Sequence, residues 1–349
     1  MKRITSRDVA KYAGVSQSTV SFVLNDRKDI ILSDLTKQKV HEAAKILGYS
    51  PHKRRGLREK VKLIGIIVPT ITNPYYAMLI KEIEEYAGSK GFRTILCNTF
   101  RKTENERFYL SLLAEIQTDG IIYSFTPGIP ELVTTLSGFT PIVMIGEKHE
   151  NCKIDTLALN SFMAGSMIAR HLRDLGHKKV AFITSPLDGL SLSRQKRLQG
   201  LTAVFEEHGL SENLIVRAES YERETDDGAY EIELGYRLTR EVLDETDVTA
   251  IVGVNDMVAY GALNAVHDKG MKVPEDISVC GFDNTYISKT SNPKMTTIDH
   301  FTAERSRLAV DILIDKTKKT ESSLYRVEYE PVIMIRDSTC AASVIKRKY

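Results

Sequence analysis

From residue 61 onward the chain repeats one alternation: a short apolar run rich in β-branched residues, then a longer amphipathic stretch. The spacing predicts strands at 63–68, 93–98, 120–123 and 141–145 and again at 180–184, 214–218, 250–254 and 277–282. Helices are predicted between them, at 75–89, 103–117, 131–137, 161–175, 193–208, 227–244 and 257–269, with a last one at 302–319. Strands that alternate with helices form a parallel sheet covered on both faces, because each crossover lays a helix over the sheet. The strands are too many for one comfortable sheet. Two α/β subdomains of ordinary size are therefore expected, with a ligand cleft between them, where the carboxyl ends of parallel strands gather.

Composition closes off other classes. With 349 residues, 42% hydrophobic and 27% charged, the chain is neither disordered nor collagen-like and is long enough for two or three domains. It contains no run of roughly 20 apolar residues, and its first residues lack the apolar core of a secretory signal. A cytoplasmic location with no membrane partner is expected. Cys97, Cys152, Cys280 and Cys340 are too dispersed for a zinc pair or a redox motif and read as ordinary thiols. The eight histidines show no metal-ligand spacing, so neither a metal nor a cofactor is expected.

The sequence lacks the common enzyme motifs. There is no G-x-G-x-x-G after the first strand, no phosphate loop, no G-x-S-x-G elbow and no H-E-x-x-H helix. Asp256 and Asp283 each follow an apolar strand and could form an acid/base pair, but no nucleophile or metal motif accompanies them. No catalytic residue is assigned.

The charge is unevenly spread. Residues 1–60 hold 14 Lys/Arg and 6 Asp/Glu, leaving 34 and 40 for residues 61–349, so a basic head precedes an acidic body. A basic segment suits a polyanion, although a solvated charged face would look the same. Local pattern narrows the choice. Val9, Tyr12 and Ala13 recur at helical spacing behind the capping candidates Thr5 and Ser6, and Gly14 allows a tight turn. A second helix runs through Val20, Val23 and Leu24, and a third, capped by Ser33 or Asp34, carries Leu35, Val40, Ala43, Ala44 and Leu47 and stops at Gly48. The second helix would bury its valines and show Gln17, Ser18, Ser21 and Asn25. Such side chains can read base edges, or they can simply be the polar face of a three-helix bundle.

The run from Thr5 to Asn25, with its D-V-A-x-x-A-G-V-S-x-x-T-V-S pattern, resembles the head of the lactose-repressor/galactose-repressor (LacI/GalR) family. The resemblance implies a DNA-binding surface made of Thr5, Ser6, Arg7, Ser16, Gln17, Ser18, Thr19, Ser21, Asn25, Ser33, Thr36, Tyr49, His52 and Leu57. Three features depart from the family pattern: Phe22 stands where many members carry Arg, the chain between Asn25 and the third helix is slightly longer than in the best-known members, and the hinge 49–57 lacks the usual Asn and sets Gly56 before Leu57. Leu57 is still expected to wedge into the minor groove, with Lys53, Arg54, Arg55 and Arg58 on phosphates.

The resemblance continues through the body to Asp337. It is carried by Asn73-Pro74-Tyr75-Tyr76, Asp119-Gly120-Ile121-Ile122, Arg197-Leu198-Gln199-Gly200, Asn255-Asp256-Met257-Val258-Ala259-Tyr260-Gly261 and the run from Val273 to Asn284. It implies a small all-α helix-turn-helix head plus an α/β periplasmic-binding-protein-like body of two doubly wound parallel-sheet subdomains. The head and hinge would span 1–58 and the effector-binding and dimerisation domain 61–338. Its first subdomain would take 61–159 and 297–322, its second 160–292 and 325–338, with a short basic tail at 339–349 and the last crossing near 320–326. Arg197, Asn255 and Asp283 would grip an effector, Tyr75, Tyr76, Phe162 and Tyr230 would wall it, and Asn73 and Asn160 would add polar contacts.

The expected function is that of an effector-responsive DNA-binding regulator, most simply a repressor, acting as a homodimer on a pseudo-palindromic double-stranded DNA operator. Half-site centres would lie about 34 Å apart or a multiple of that. A sugar or sugar phosphate is the first expectation for the effector, and a nucleobase or nucleoside the second. A sugar-binding module without DNA function and a cleft enzyme are the rivals, and a protein coregulator is a further possible partner.

Overall fold

The computed structural model describes residues 5–24, 27, 32–46, 61–148, 151–187, 191–219, 229–318 and 323–342. The chain divides into two compact units, Met1–Val61 and Lys62–Tyr349.

The head contains α1 (Ser6–Ala13), α2 (Gln17–Leu24) and α3 (Asp34–Ile46). Each begins at a polar cap. The Thr5 backbone N–H and hydroxyl both donate to Asp8, at 2.8 and 2.7 Å, the Thr19 N–H donates to the Ser16 hydroxyl at 3.1 Å, and the Thr36 N–H donates to that of Ser33 at 3.3 Å. Gly14 ends α1 at φ 68°, a left-handed conformation that glycine adopts without strain. Val9, Ala10, Val20, Val23, Val40, Ala43 and Ala44 form the core. Two side chains expected in that core are outside it: Tyr12 is 58% exposed and Leu35 65% exposed. The stripe on α1 runs over Val9, Ala10 and Ala13 with Tyr12 beyond its edge, and Leu35, five residues before Val40, points off the buried stripe of α3.

The body is built on two parallel sheets. The strands of the first lobe are β1 (Lys62–Val68), β2 (Phe92–Asn98), β3 (Gly120–Tyr123), β4 (Ile142–Ile145) and β5 (Asp155–Leu159). Its helices are α4 (Pro74–Ser89), α5 (Thr103–Glu115) and α6 (Pro130–Ser137). The second lobe follows with α7 (Ser161–Asp174), β6 (Val180–Thr184), α8 (Leu192–Glu207), β7 (Leu214–Ala218), α9 (Tyr230–Glu245), β8 (Ala250–Gly253), α10 (Asp256–Asp268), β9 (Ser278–Cys280) and β10 (Thr297–Asp299). The chain then returns through α11 (Thr302–Lys318) and β11 (Arg326–Tyr329), and the last element among the described residues is β12 (Val332–Met334). The first sheet has the order β11-β5-β4-β3-β1-β2 and the second β7-β6-β8-β9, while β10 and β12 form an antiparallel ribbon beside the second.

Strand alternation divides the first lobe's core. Ile64, Ile66 and Val68 pack with α4 and α11, whereas Ile67 turns to the face of Leu110 and Leu113 on α5. Burying both faces is what makes these strands nearly continuous apolar runs.

The boundaries differ from expectation at three points. Residues 296–299 bridge to the second sheet through Cys280 and Asp283, so the chain leaves the second lobe after Asp299 and not before 297. β11 pairs with β5 in the first sheet, which moves the last crossing from 320–326 to just after Tyr329. Asp155 anchors this strand, accepting from the Tyr325 N–H at 2.7 Å and pairing with Lys316 at 2.7 Å. The tail does not begin at 339: His177 contacts the Cys340 carbonyl at 3.0 Å and the Ala342 N–H donates to Leu175 O at 2.8 Å. All four cysteines are free thiols, with Cys97, Cys152 and Cys280 buried. No described helix is long and apolar enough to cross a membrane.

Candidate functional site

On the head, α2 buries Val20 and Val23 and leaves Gln17, Ser18 and Ser21 exposed, a face that carries no charge. The Gln17 side chain donates to the Ser6 hydroxyl at 2.9 Å, and Ser16 joins the hydroxyls of Ser18 and Thr19, each at 2.8 Å. Arg7, Lys11, Lys37 and Lys39 are exposed around this unit. Ser16 and Ser33 thus serve as helix caps, Ser33 as the sequence predicts. Phe22 lies under Arg27, whose guanidinium is 6.0 Å from the ring centre. Asn25, Tyr49, His52 and Leu57 lie outside the described residues.

In the body, a cleft with an empty volume of about 1210 Å³, open solvent at its mouth included, lies between the lobes. Asn73, Tyr75, Tyr76, Arg197, Tyr230, Asn255 and Asp283 line it, seven of the nine side chains assigned to the effector. Asn160 and Phe162 do not. Asn160 caps α7, accepting from the Met163 N–H at 2.9 Å and donating to Glu328 at 3.1 Å, so it ties two lobe crossings together. Phe162 is 45% exposed on α7. Both lie just after β5, where the chain leaves the first lobe.

The floor of the cleft is a buried polar cluster. One Arg197 nitrogen donates to the Val254 carbonyl, the other lies 3.2 Å from His300 Nε2 and 3.9 Å from Asp283, and the guanidinium sits 4.7 Å from the centre of the Phe282 ring. An arginine nitrogen can only donate, so His300 Nε2 accepts and the neutral ring carries its proton on Nδ1. Arg197 Nε and His300 Nδ1 have no hydrogen-bond partner among the described residues, and the same holds for Oε1 of Glu147, a buried carboxylate in the cleft wall. Such unsatisfied groups are costly unless a ligand or water meets them.

Burial drives the titration of this cluster. It holds the Asp283 carboxyl well above its ordinary range, against the opposing pull of Arg197, with Asp256 and Glu231 pushing the same way as burial. It holds His300 well below 6.5, helped by Arg197 and Arg305. Arg305 fixes the His300 backbone, donating to the His300 carbonyl at 3.2 Å and to Leu157 O at 2.8 Å. Asp256 is committed elsewhere: it accepts from the Thr285 N–H at 2.9 Å and from the hydroxyls of Thr285 and Thr297 at 3.0 and 2.6 Å. It therefore braces the loop after β9 and forms no acid/base pair with Asp283.

The sequence reading missed Phe100, Arg101, Phe125, Glu147, Arg194, Glu231, His300 and Arg305, all of which line the cleft. Arg101 lies over the Phe125 ring at 5.7 Å and reaches the Tyr76 hydroxyl at 3.4 Å, so a cation and two aromatics share one wall. Tyr75 meets Tyr76 and His300 edge to face, at 5.1 and 5.2 Å between ring centres. Two glycines allow α7 and α8 to meet closely: a Cβ on Gly165 would fall 2.1 Å from the Arg197 carbonyl and one on Gly200 2.0 Å from that of Phe162. Among the described residues no group of acidic, histidine or cysteine side chains could hold a metal ion.

A head whose described residues form three helices with a helix-turn-helix, and a two-lobed α/β body with a polar cleft, are the architecture of a DNA-binding transcriptional regulator. Comparison with known proteins agrees. Residues 5–52 match the family model described as bacterial regulatory proteins of the lacI family, and residues 169–339 match the periplasmic binding protein-like domain. The chain is 33% identical to the HTH-type transcriptional repressor PurR of Mannheimia succiniciproducens, covering 96% of this chain and 98% of that protein. It is also 33% identical to the HTH-type transcriptional regulator DegA of Bacillus subtilis, covering 97% and 98%. A LacI-family regulator from Enterococcus faecium, solved with bound ribose, superposes with a TM-score of 0.70 at 25% identity, covering 81% of this chain and 100% of that one. The chain belongs to the LacI family of bacterial transcriptional regulators. It is a DNA-binding transcriptional repressor of that family, which is one of regulators and not of enzymes.

Proposed function

We propose that the protein is a cytoplasmic homodimeric repressor whose grip on a pseudo-palindromic operator is set by a small polyhydroxylated effector in the cleft, a sugar or sugar phosphate. The observation that carries this reading is the cleft floor: a fixed fork of donors on Arg197 beside the Asp283 carboxyl, both buried, with aromatic rings on the walls. Donors and an acceptor side by side suit the vicinal hydroxyls of a sugar, and the rings suit its apolar faces. The ribose found in the Enterococcus faecium regulator supports the same class. A nucleobase is the second reading, suggested by the relationship to the repressors named PurR.

Gln17, Ser18 and Ser21 would read bases, with Arg7 and neighbouring lysines on phosphates. For the dimer, the first lobe offers Ile71, 49% exposed, and Leu96, 40% exposed on the edge strand β2, beside Ala77 and Ile80. Lys81, Glu84 and Glu85 flank this patch, so two copies related by a twofold axis could pair opposite charges across it.

A thermal-shift screen against ribose, sugar phosphates and nucleobases, repeated on Arg197→Ala, tests the reading. A ligand at about 100 times its Kd should add roughly 2.7 kcal/mol of stability. A sugar shift lost in the variant is expected; a shift produced only by nucleobases would select the second reading, and a shift unchanged in the variant would move the site away from Arg197.

A further inference from the structure

Three helix N-termini converge on one carboxylate in this cleft. Asn73 caps α4 in the first lobe, its carbonyl accepting from the Tyr75 N–H at 2.9 Å. Asn255 caps α10 in the second lobe in the same way, accepting from the Val258 N–H at 2.9 Å. Because each cap commits the amide oxygen, each amide nitrogen must point onward. Both point to Glu231, in the first turn of α9: Asn73 Nδ2 donates to Oε2 and Asn255 Nδ2 to Oε1, each at 2.6 Å. The positive ends of three helix dipoles thus surround a single negative charge, and the short hydrogen bonds are charge-assisted.

The bond to Asn73 crosses from one lobe to the other. A second cross-lobe contact is the ion pair of Lys196 on α8 with Glu147 after β4, at 2.5 Å, but its lysine is 43% exposed and screened by water. We propose that Glu231 is the latch that holds the two lobes together across the cleft, so that lobe closure, and through it effector affinity, is set by this residue. The proposal rests on the cleft being the effector site, and it adds that part of the closure energy is built into the chain before any ligand arrives. Neither amide can be tested cleanly, since substituting Asn73 or Asn255 also uncaps a helix. Glu231 can.

The test is made without ligand on the full-length protein, with fluorophores at the exposed positions 89 and 212, one in each lobe, read by single-molecule energy transfer. Glu231→Ala should move the population toward longer separations, lowering the closed-to-open ratio by about tenfold or more, as expected for losing a charge-assisted bond. Glu231→Gln keeps one acceptor oxygen but turns an amide nitrogen toward the other donor, so it should open the lobes to an intermediate extent. Lys196→Met should change the ratio less than either. Distance distributions of both Glu231 variants that superimpose on the wild type would overturn the proposal, as would a larger opening in Lys196→Met. No ligand enters these measurements, so a failed effector screen and a failed latch would be told apart.

Discussion

The head and the cleft do opposite things with polar residues. On the head, the side chains assigned to DNA come from one stretch, most of the described ones stand in water, and several already serve as helix caps. In the cleft, the groups run from Asn73 to Arg305 in sequence, are largely buried, and have their ionisation reshaped by burial. A surface that reads a stiff, highly charged partner can be displayed on one small unit. A site that must enclose a small molecule needs walls from separate elements and bears the desolvation cost of its own charges.

The sharpest way to separate the two regions is to destroy one core. Val20→Asp puts a charge without a counter-ion into the head core of Val9, Val23, Val40 and Ala43, at a cost of about 3–5 kcal/mol. DNA binding should disappear while the main calorimetric transition of the body stays within a degree or so of wild type; a large shift of that transition would show that the two units do not fold separately. Arg197→Ala is the reciprocal change, expected to remove about 1.5–3 kcal/mol of effector binding, more than tenfold in Kd by isothermal titration, and to leave unliganded DNA binding in place. Gly165→Ala acts on the cleft from behind. Its new Cβ would press on the Arg197 backbone, costing about 1–3 kcal/mol in body stability and weakening the effector with no contact to it.

The smallest effect is a pH dependence. Folding lowers the pKa of His300 below 6.5, so as pH falls through that value the unfolded chain binds a proton that the folded chain refuses, and stability declines toward acid. One such proton is worth about 1.4 kcal/mol per pH unit. His171 and His177 are lowered in the same direction by burial. His300→Gln should therefore make the acid limb of a Tm-against-pH curve shallower without flattening it, and an unchanged limb would place His300 in contact with water.

The comparison also explains what could be read from the sequence. The head was legible because caps, turn and apolar stripe follow one another along the chain, and the two-sheet body because doubly covered strands form plain apolar runs. β5 was missed because it opens on a charged residue, Asp155, whose partner Lys316 lies far away in sequence, and β11 because it is an edge strand of alternating exposure. Arg197, Asn255 and Asp283 were found by resemblance. Glu231 was not, because an acidic residue in the first turn of a helix is ordinary dipole complementation, and only the fold brings two cap amides to it. His300 gave no local signal, since its role comes from Arg197 and Arg305 on other elements.

The central claim is that the cleft and the head share one free energy. Its most direct test is the operator Kd, measured by fluorescence anisotropy at fixed salt on a genomic fragment selected by the protein itself, with and without a saturating ligand from the thermal-shift screen. Linkage predicts a change of about 5- to 150-fold in the wild type and none in Arg197→Ala at the same ligand concentration. An operator Kd that stays the same in the wild type with the cleft saturated would contradict the account.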